Sequence, residues 1–180
     1  MVNFVNSDFT DYKERAEITG RFMSESTTFG SPRVETLLKF MTMEDIADSQ
    51  RSMWEYHCKN NPHLDKSYPT LFRMCEIMAE KILGGWKSSE EMVKKMEYIQ
   101  YEMIKVMNES ARRNKWYSSG ILYWMYNDCW SATGWSIVDY YGFPKAGWYA
   151  FKKTAKPVMA SIQKNEDEIH FWICSDLPKA

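Results

Sequence analysis

The stretch from residue 120 to residue 130 combines an aromatic, strand-like run with polar side chains. Residues 120–126 read GILYWMY, and side chains that favour β-structure predict one buried strand here. Asn127 and Asp128 follow directly, and functional side chains of barrel folds stand at the C-terminal ends of strands. Trp and Tyr rings offer apolar faces with hydrogen-bonding edges, which suit sugars. An ordinary aromatic-rich core would use the same residue types.

A second strand-like stretch places a carboxylate at its end. Residues 21–25 read RFMSE, an alternating run that predicts a short strand finishing at Glu25. This repeats the arrangement of a strand followed by a polar rim. The residue types alone favour a glutamate held in a salt bridge over a catalytic one.

Composition excludes several classes of function. The 180 residues suffice for one domain with a core, and the aromatic share of 16% is high. A formal net charge of −1 provides no basic excess for phosphates, so nucleic acid is not an expected partner. No apolar run reaches the length of a membrane span, and the first residues lack the features of a signal peptide. The compartment stays open.

Neither a metal nor any other cofactor is expected. The four cysteines lie far apart without a CxxC pair, and the three histidines form no HExxH cluster. Free and partly buried thiols are the simplest interpretation of the cysteines.

Local signals predict a helix-rich chain. Apolar spacing and capping residues predict helices over residues 31–41, 70–83, 88–113 and 145–153, with a shorter helical pattern before Gly20. Residues 42–69 show no regular pattern and are expected to be irregular. In the last predicted helix, Trp148, Tyr149 and Phe151 are expected to pack inward. Two strand-like runs, 158–162 and 169–174, flank a polar turn and predict a hairpin.

Three motifs together resemble one family. Residues 123–130 read YWMYNDCW and residues 135–150 read WSIVDYYGFPKAGWYA. This ordered text resembles the end of the catalytic barrel in family 2 glycoside hydrolases, above all their β-mannosidase branch. The RFMSE stretch is similar to the family's RFxSEFG motif. It departs from that motif because residues 26–28 intervene between Glu25 and the Phe-Gly pair at 29–30.

The resemblance implies an α/β fold, the C-terminal portion of a (β/α)8 barrel, and it assigns site residues. Strand eight would lie near residues 122–126, and Glu25 would be the catalytic nucleophile. Trp124 would lie beneath the sugar, Asn127 would bind substrate or brace the loop, and bracing is favoured for Asp128. Trp130 and Trp135 would form a wall of the substrate pocket.

One further segment, 54–60, is similar to a family stretch on the substrate face. Trp54 or His57 would then line the mouth of the site. Packing of the loop against the barrel wall is the favoured alternative for both residues.

The implied activity is hydrolysis of terminal β-mannosides by a retaining mechanism, and the expected partner is therefore a carbohydrate. The family's acid/base glutamate has no counterpart in this sequence, and a whole barrel needs roughly 200 to 250 residues. Residues 1–155 are therefore expected to be the C-terminal part of a barrel, and 156–180 the start of an immunoglobulin-like β-sandwich. The N-terminal part of the same enzyme would be missing, and the isolated chain would be inactive.

Other functions remain compatible with the sequence. The chain could be a carbohydrate-binding remnant that lacks turnover, or a helix-rich interaction module. Within the enzyme hypothesis, specificity for β-galactosides or β-glucuronides is the alternative to mannosides.

Overall fold

The computed structural model describes residues 20–58, 70–165 and 167–178. The predicted helical pattern before Gly20 lies outside these residues. The elements in chain order are β1 (Phe22–Thr27), α1 (Val34–Leu37), α2 (Met43–Ala47), α3 (Ser52–Tyr56), α4 (Leu71–Leu83), α5 (Ser89–Arg113), β2 (Gly120–Trp124), α6 (Ala146–Thr154), β3 (Val158–Asn165) and β4 (Glu168–Ser175). In the described part of the chain, no helix has the length and apolar character needed to cross a membrane.

Strands β1 and β2 form a parallel pair, with all of α1 to α5 between them in the sequence. Met23 pairs with Ile121 and Ser26 pairs with Tyr123, so β1 has one more residue than β2 between these two pairs. The result is a bulge that contains Ser24 and Glu25. A bulge bends its strand and redirects a side chain at that point.

The two long helices agree with the sequence prediction and carry the core. Thr70 and Ser88 cap α4 and α5, each accepting a 3.2 Å hydrogen bond from a backbone N–H in the first turn. The fully buried side chains on these two helices include Phe72, Met78, Met92, Met96, Ile99, Met103, Ile104 and Met107. Methionine therefore acts mainly as core filler here.

The segment between β1 and α4 differs from the prediction. The helix expected over 31–41 is shorter in the structure, where only α1 is helical. It begins later because Arg33 is extended and the Ser31 hydroxyl donates to the Pro32 carbonyl instead of capping the helix. Residues 42–58 are not irregular but contain α2 and α3. A capping box between Thr42 and Asp45 starts α2. Each of these two helices has 5 residues, too few to show a helical period.

Helix α6 confirms the last predicted helix and the inward packing of Trp148, but the predicted inward packing of Tyr149 and Phe151 was wrong. Tyr149 and Phe151 are 54% and 41% exposed, whereas Gly147, Ala150 and Thr154 are buried. A Cβ added at Gly147 would lie 2.5 Å from Ile104 Cδ1. Helices α5 and α6 therefore approach so closely that only small side chains fit between them, and Tyr149 and Phe151 face outward.

The predicted hairpin is present as β3 and β4, paired antiparallel from Val158 with Ser175 to Asn165 with Glu168. One side of the hairpin buries Met159 and Cys174. The other side is apolar and open to solvent, with Ile162, Phe171 and Ile173 between 63% and 79% exposed.

Candidate functional site

The candidate site lies where β1 and β2 end. Parallel strands end at the same edge, so the side chains at these two ends stand close together. Glu25 is exposed and lies in the β1 bulge, just before the residue that pairs with Tyr123. Trp124 ends β2 and is 52% exposed. The structure thus brings the predicted carboxylate and the predicted sugar platform to one edge.

Side chains alternate along β2 between the site and the core. Leu122 and Trp124 are exposed on one side. Tyr123 lies on the other side, where its hydroxyl donates a 2.5 Å hydrogen bond to Asn108 of α5. Burial raises the pKa of the Tyr123 phenol well above its ordinary value, so the hydroxyl remains a donor. This anchor fixes β2 against α5 and leaves Trp124 facing outward.

Asn127 and Asp128 occupy different environments although they are neighbours. Asn127 is exposed, and its side-chain amide donates to the Asp128 carbonyl at 3.2 Å. Asp128 is 2% exposed, and its carboxylate accepts a 2.5 Å hydrogen bond from the Ser136 hydroxyl. Its backbone N–H donates to the Val138 carbonyl. Asp128 therefore joins the two sides of the loop, and Asn127 has the more accessible side chain.

Trp130 presents a partly open indole. It is 37% exposed and stacks on His57, with ring centroids 5.2 Å apart and an interplanar angle of 27°. Tyr56 meets the same indole edge-on at 6.1 Å. The His57 ring covers part of one indole face, and the open part can contact a ligand.

Trp135 lies in a different environment from Trp130. Among the described residues, the ring contacts of Trp130 are with Tyr56 and His57, and none joins it to Trp135. Trp135 is half-buried, and its carbonyl accepts from the Gln100 amide at 3.4 Å. Its indole Nε1 is buried without a hydrogen-bond partner in the structure as described.

The two residues considered for the mouth of the site are buried. Trp54 is fully inaccessible, donates its indole N–H to the Ile46 carbonyl at 3.2 Å and stacks on Phe72. It packs in the core, as the alternative interpretation proposed. His57 is 7% exposed and contacts the site only through Trp130 and the loop around it.

Sequence reasoning missed two buried charged residues that shape the loop after β2. Asp139 is 3% exposed and accepts hydrogen bonds from the N–H groups of Tyr141 and Phe143, both at 2.9 Å. Lys145 is 2% exposed, and its ammonium donates to the Gly134 carbonyl at 2.5 Å. The Asp-Tyr-Tyr-Gly text signals a turn, but nothing local indicates that Lys145 is buried.

No group of His, Cys, Asp and Glu side chains suited to a metal ion occurs among residues 20–58, 70–165 and 167–178. The candidate site combines the exposed carboxylate of Glu25, the exposed indoles of Trp124 and Trp130, the amide of Asn127 and the loop that Asp128 braces. Such a set can bind a neutral polyol through stacking and hydrogen bonds and can place a carboxylate beside it.

The chain matches no established protein-family model. It is 28% identical over 160 residues to the β-mannosidase B of Emericella nidulans. The matched region covers 87% of this chain and 18% of that protein. It is 29% identical over 156 residues to the β-mannosidase B of Thermothelomyces thermophilus, covering 82% and 17%. The chain thus spans less than a fifth of the length of these curated relatives.

Solved structures agree with the sequence relatives. A β-D-mannosidase from Dictyoglomus thermophilum superposes with a TM-score of 0.74 at 28% identity, over 95% of this chain and 20% of that one. An exo-chitosanase from Amycolatopsis orientalis, in complex with PNP-β-D-glucosamine, gives 0.65 at 25% identity over 81% and 17%. These similarities confirm the resemblance to β-mannosidase-like glycoside hydrolases of family 2.

Proposed function

We propose that the chain forms the nucleophile side of a retaining exo-β-glycosidase that cleaves terminal β-mannosides. The observation that carries the proposal is the position of Glu25. This exposed carboxylate lies in the bulge of β1, two residues before Thr27, which pairs with the exposed Trp124 at the end of the parallel strand β2. The β-mannosidase relatives support the choice of sugar.

In this proposal, residues 1–155 are the C-terminal part of a (β/α)8 catalytic barrel, with β1 and β2 as its seventh and eighth strands. The parallel pairing of β1 with β2 fits neighbouring barrel strands. Residues 156–180, which contain the β3–β4 hairpin, begin an immunoglobulin-like sandwich. The acid/base carboxylate comes from outside this chain, from the N-terminal part of the same enzyme.

The proposed reaction has two steps. The Glu25 carboxylate attacks the anomeric carbon, the bond to the leaving oxygen breaks, and a covalent glycosyl-enzyme forms. Water then hydrolyses this ester with net retention. The second carboxyl group, roughly 5 Å away in retaining enzymes, protonates the leaving oxygen and later activates the water.

The remaining site residues bind the sugar in this proposal. Trp124 offers its indole face to the apolar side of the ring, and Trp130 and Trp135 limit the pocket. Asn127 donates or accepts hydrogen bonds at the hydroxyl groups. Asp128 braces the loop through Ser136 rather than touching substrate, which fits its burial.

Azide rescue tests the nucleophile without requiring the acid. Dinitrophenolate leaves without protonation, so dinitrophenyl β-mannoside can transfer its mannosyl group to the Glu25 carboxylate in the isolated chain. Azide then needs no general base and yields β-mannosyl azide of retained configuration. We expect this product from the unsubstituted chain and not from Glu25→Gln, whereas Glu44→Gln, an exposed glutamate in α2, keeps the reaction. Formation of β-mannosyl azide by the Glu25→Gln variant would contradict the assignment of Glu25 as the nucleophile.

A panel of activated glycosides tests the choice of sugar. One solved neighbour is an exo-chitosanase in complex with a β-glucosamine derivative, so dinitrophenyl glucosaminide belongs beside the galactoside and the mannoside. We expect the mannoside to react fastest. A faster galactoside or glucosaminide would keep the nucleophile and change the specificity.

The two exposed indoles, Trp124 and Trp130, also suit a carbohydrate-binding remnant without turnover. Calorimetric binding of mannose by the chain, with no azide product from any glycoside, would favour that second function.

A further inference from the structure

We infer that His57 is a positioning residue that fixes the plane of the Trp130 indole and leaves the uncovered part of that indole to contact a sugar ring. The sugar contact rests on the proposed function. The fixed geometry of the indole rests only on the contacts of His57, so the two parts of the inference can fail separately.

Two hydrogen bonds hold His57 to the loop that contains Trp130. The imidazole Nδ1 lies 2.7 Å from the Ser131 carbonyl oxygen. Because a carbonyl only accepts, Nδ1 carries the proton in this contact. The His57 carbonyl in turn accepts from the Thr133 N–H at 3.1 Å. Ser131 follows Trp130 directly, so the imidazole fixes the backbone next to the indole.

The same imidazole also contacts the indole itself. The two rings lie 5.2 Å apart with an interplanar angle of 27°, a stacked arrangement. Phe40 contacts the His57 ring at 4.6 Å, and Tyr56 sets its edge against it at 5.1 Å. The His57 ring is thus held in place by Phe40, which follows α1, and by Tyr56 of α3. Because His57 stacks on Trp130, it restricts the orientation of the indole as well.

A further hydrogen bond, which does not involve the His57 imidazole, holds the loop that contains Trp130. The Thr133 hydroxyl donates to the Trp54 carbonyl at 3.2 Å. Trp54 belongs to α3 and is fully buried, so the loop is tied to a rigid part of the core. The position of the loop therefore does not depend on the imidazole alone, and the specific effect of His57 is to orient the Trp130 indole.

The chemical consequence concerns the entropy of binding. An exposed aromatic side chain that must be ordered by its ligand weakens binding, whereas one already held in place does not. The apolar side of a pyranose ring stacks on an indole only when the plane is correctly set. Loss of the His57 contact should therefore weaken sugar binding by about three- to tenfold, the equivalent of ordering one freed side chain.

Two complementary variants separate the two contacts. His57→Asn keeps a donor near the position of Nδ1 and removes the ring, while His57→Phe keeps a ring and removes the donor. His170→Asn is the matched control, because His170 lies in the exposed β4 and contacts Glu168. Each variant is prepared with Trp130 and with Trp130→Phe. The difference in acrylamide quenching within each pair then reports on this indole among the 8 tryptophans.

We expect both His57 variants to raise the quenching of Trp130 and His170→Asn to leave it unchanged. Unchanged quenching in both His57 variants would overturn the inference. A measurement on the unsubstituted chain avoids the possibility of misfolding. Ring current from the indole should shift the His57 ring protons upfield in NMR spectra, and Trp130→Ala should abolish that shift. The absence of any such shift would also overturn it.

Mannose binding by calorimetry distinguishes the two parts. Weaker binding in both His57 variants, with normal binding in His170→Asn, supports the whole inference. Equal binding in all variants would overturn the sugar contact while the proposed function stands. Absent binding in the unsubstituted chain, together with the expected quenching, would contradict the proposed function and retain the positioning of Trp130.

Discussion

Thr36 donates a 2.6 Å hydrogen bond to the buried carboxylate of Asp139, although 103 positions separate the two residues in the sequence. Thr36 lies in α1, which follows β1, and Asp139 lies in the loop that follows β2. The other oxygen of Asp139 accepts from the N–H groups of Tyr141 and Phe143. One carboxylate therefore ties together the segments that follow the two strands of the site.

Asp139→Ala should destabilise the chain strongly. The substitution leaves two backbone N–H groups and the Thr36 hydroxyl without their acceptor, and an unsatisfied buried group costs about 1–3 kcal/mol. We expect a loss of about 3 kcal/mol in the free energy of unfolding, measured by urea denaturation. Asp139→Asn should lose less, because the Thr36 hydroxyl can accept from the new amide.

Asp167→Ala is the control for this experiment, since Asp167 is exposed in the hairpin turn. Equal stability of Asp139→Ala and Asp167→Ala would contradict the role assigned to the buried carboxylate.

Gly30→Ala should also destabilise the fold. A Cβ at Gly30 would collide with the Cβ of Gln100, which is buried and also bonds the Ser136 carbonyl. Because a Cβ cannot move without its helix, we expect a loss of about 2 kcal/mol and a lower midpoint in thermal unfolding. Gly85→Ala is the control, since a Cβ there meets nothing within 4 Å. A Gly30→Ala chain as stable as Gly85→Ala would show that the segment can move away from α5.

Stability should fall in alkaline solution because of buried thiols. Burial raises the pKa of Cys58 from 9.0 to about 11, and burial raises the pKa of Cys75 as well. Above pH 9.0 the unfolded chain releases the Cys58 proton while the folded chain retains it up to about pH 11. The contribution of this thiol to the free energy of unfolding is therefore fully present below pH 9.0. Between pH 9.0 and about pH 11 it declines by about 1.4 kcal/mol per pH unit.

Cys58→Ala should flatten this decline when the free energy of unfolding is measured by urea denaturation at several pH values. Cys129→Ala should leave the slope as it is, because Cys129 is exposed. A Cys58→Ala slope identical to that of the unsubstituted chain would show that Cys58 is not protected by burial.

The open side of the β3–β4 hairpin should promote self-association of the isolated chain. Phe171 and Ile173 are 79% and 78% exposed on a two-stranded sheet, and nothing covers this side among the described residues. Exposed apolar strands favour aggregation. Phe171→Thr combined with Ile173→Thr should lower the average mass in sedimentation velocity. Tyr149→Thr removes an exposed aromatic elsewhere and should have no effect; an equal effect would locate the contact outside the hairpin.

Strong local signals made much of the fold predictable from the sequence. Thr70 and Ser88 cap helices that the apolar period also indicates, and the hairpin follows from alternation around a polar turn. The orientation of α6 was not predictable in this way. Bulky aromatics suggested the buried side, but the close approach of α5 requires Gly147 and Ala150 there.

The two strands that carry the candidate site were predictable from the sequence, and the contacts that support the loop were not. The bounds of the strands differ from the prediction: β1 continues two residues beyond Glu25, and β2 ends at Trp124 and is only partly buried, whereas one buried strand was predicted over residues 120–126. The supports join distant segments: the His57 imidazole contacts a carbonyl 74 positions away. No local pattern encodes such a contact, since it depends on how the segments meet in the folded chain.

Covalent trapping shows whether Glu25 is the nucleophile. The chain is treated with dinitrophenyl β-mannoside, quenched in acid, digested and examined by mass spectrometry. We expect a hexose adduct on the peptide that contains Glu25, absent from the Glu25→Ala variant. A sample that unfolds cooperatively yet carries no adduct, or carries it on another carboxylate, would contradict the assignment of Glu25 as the nucleophile.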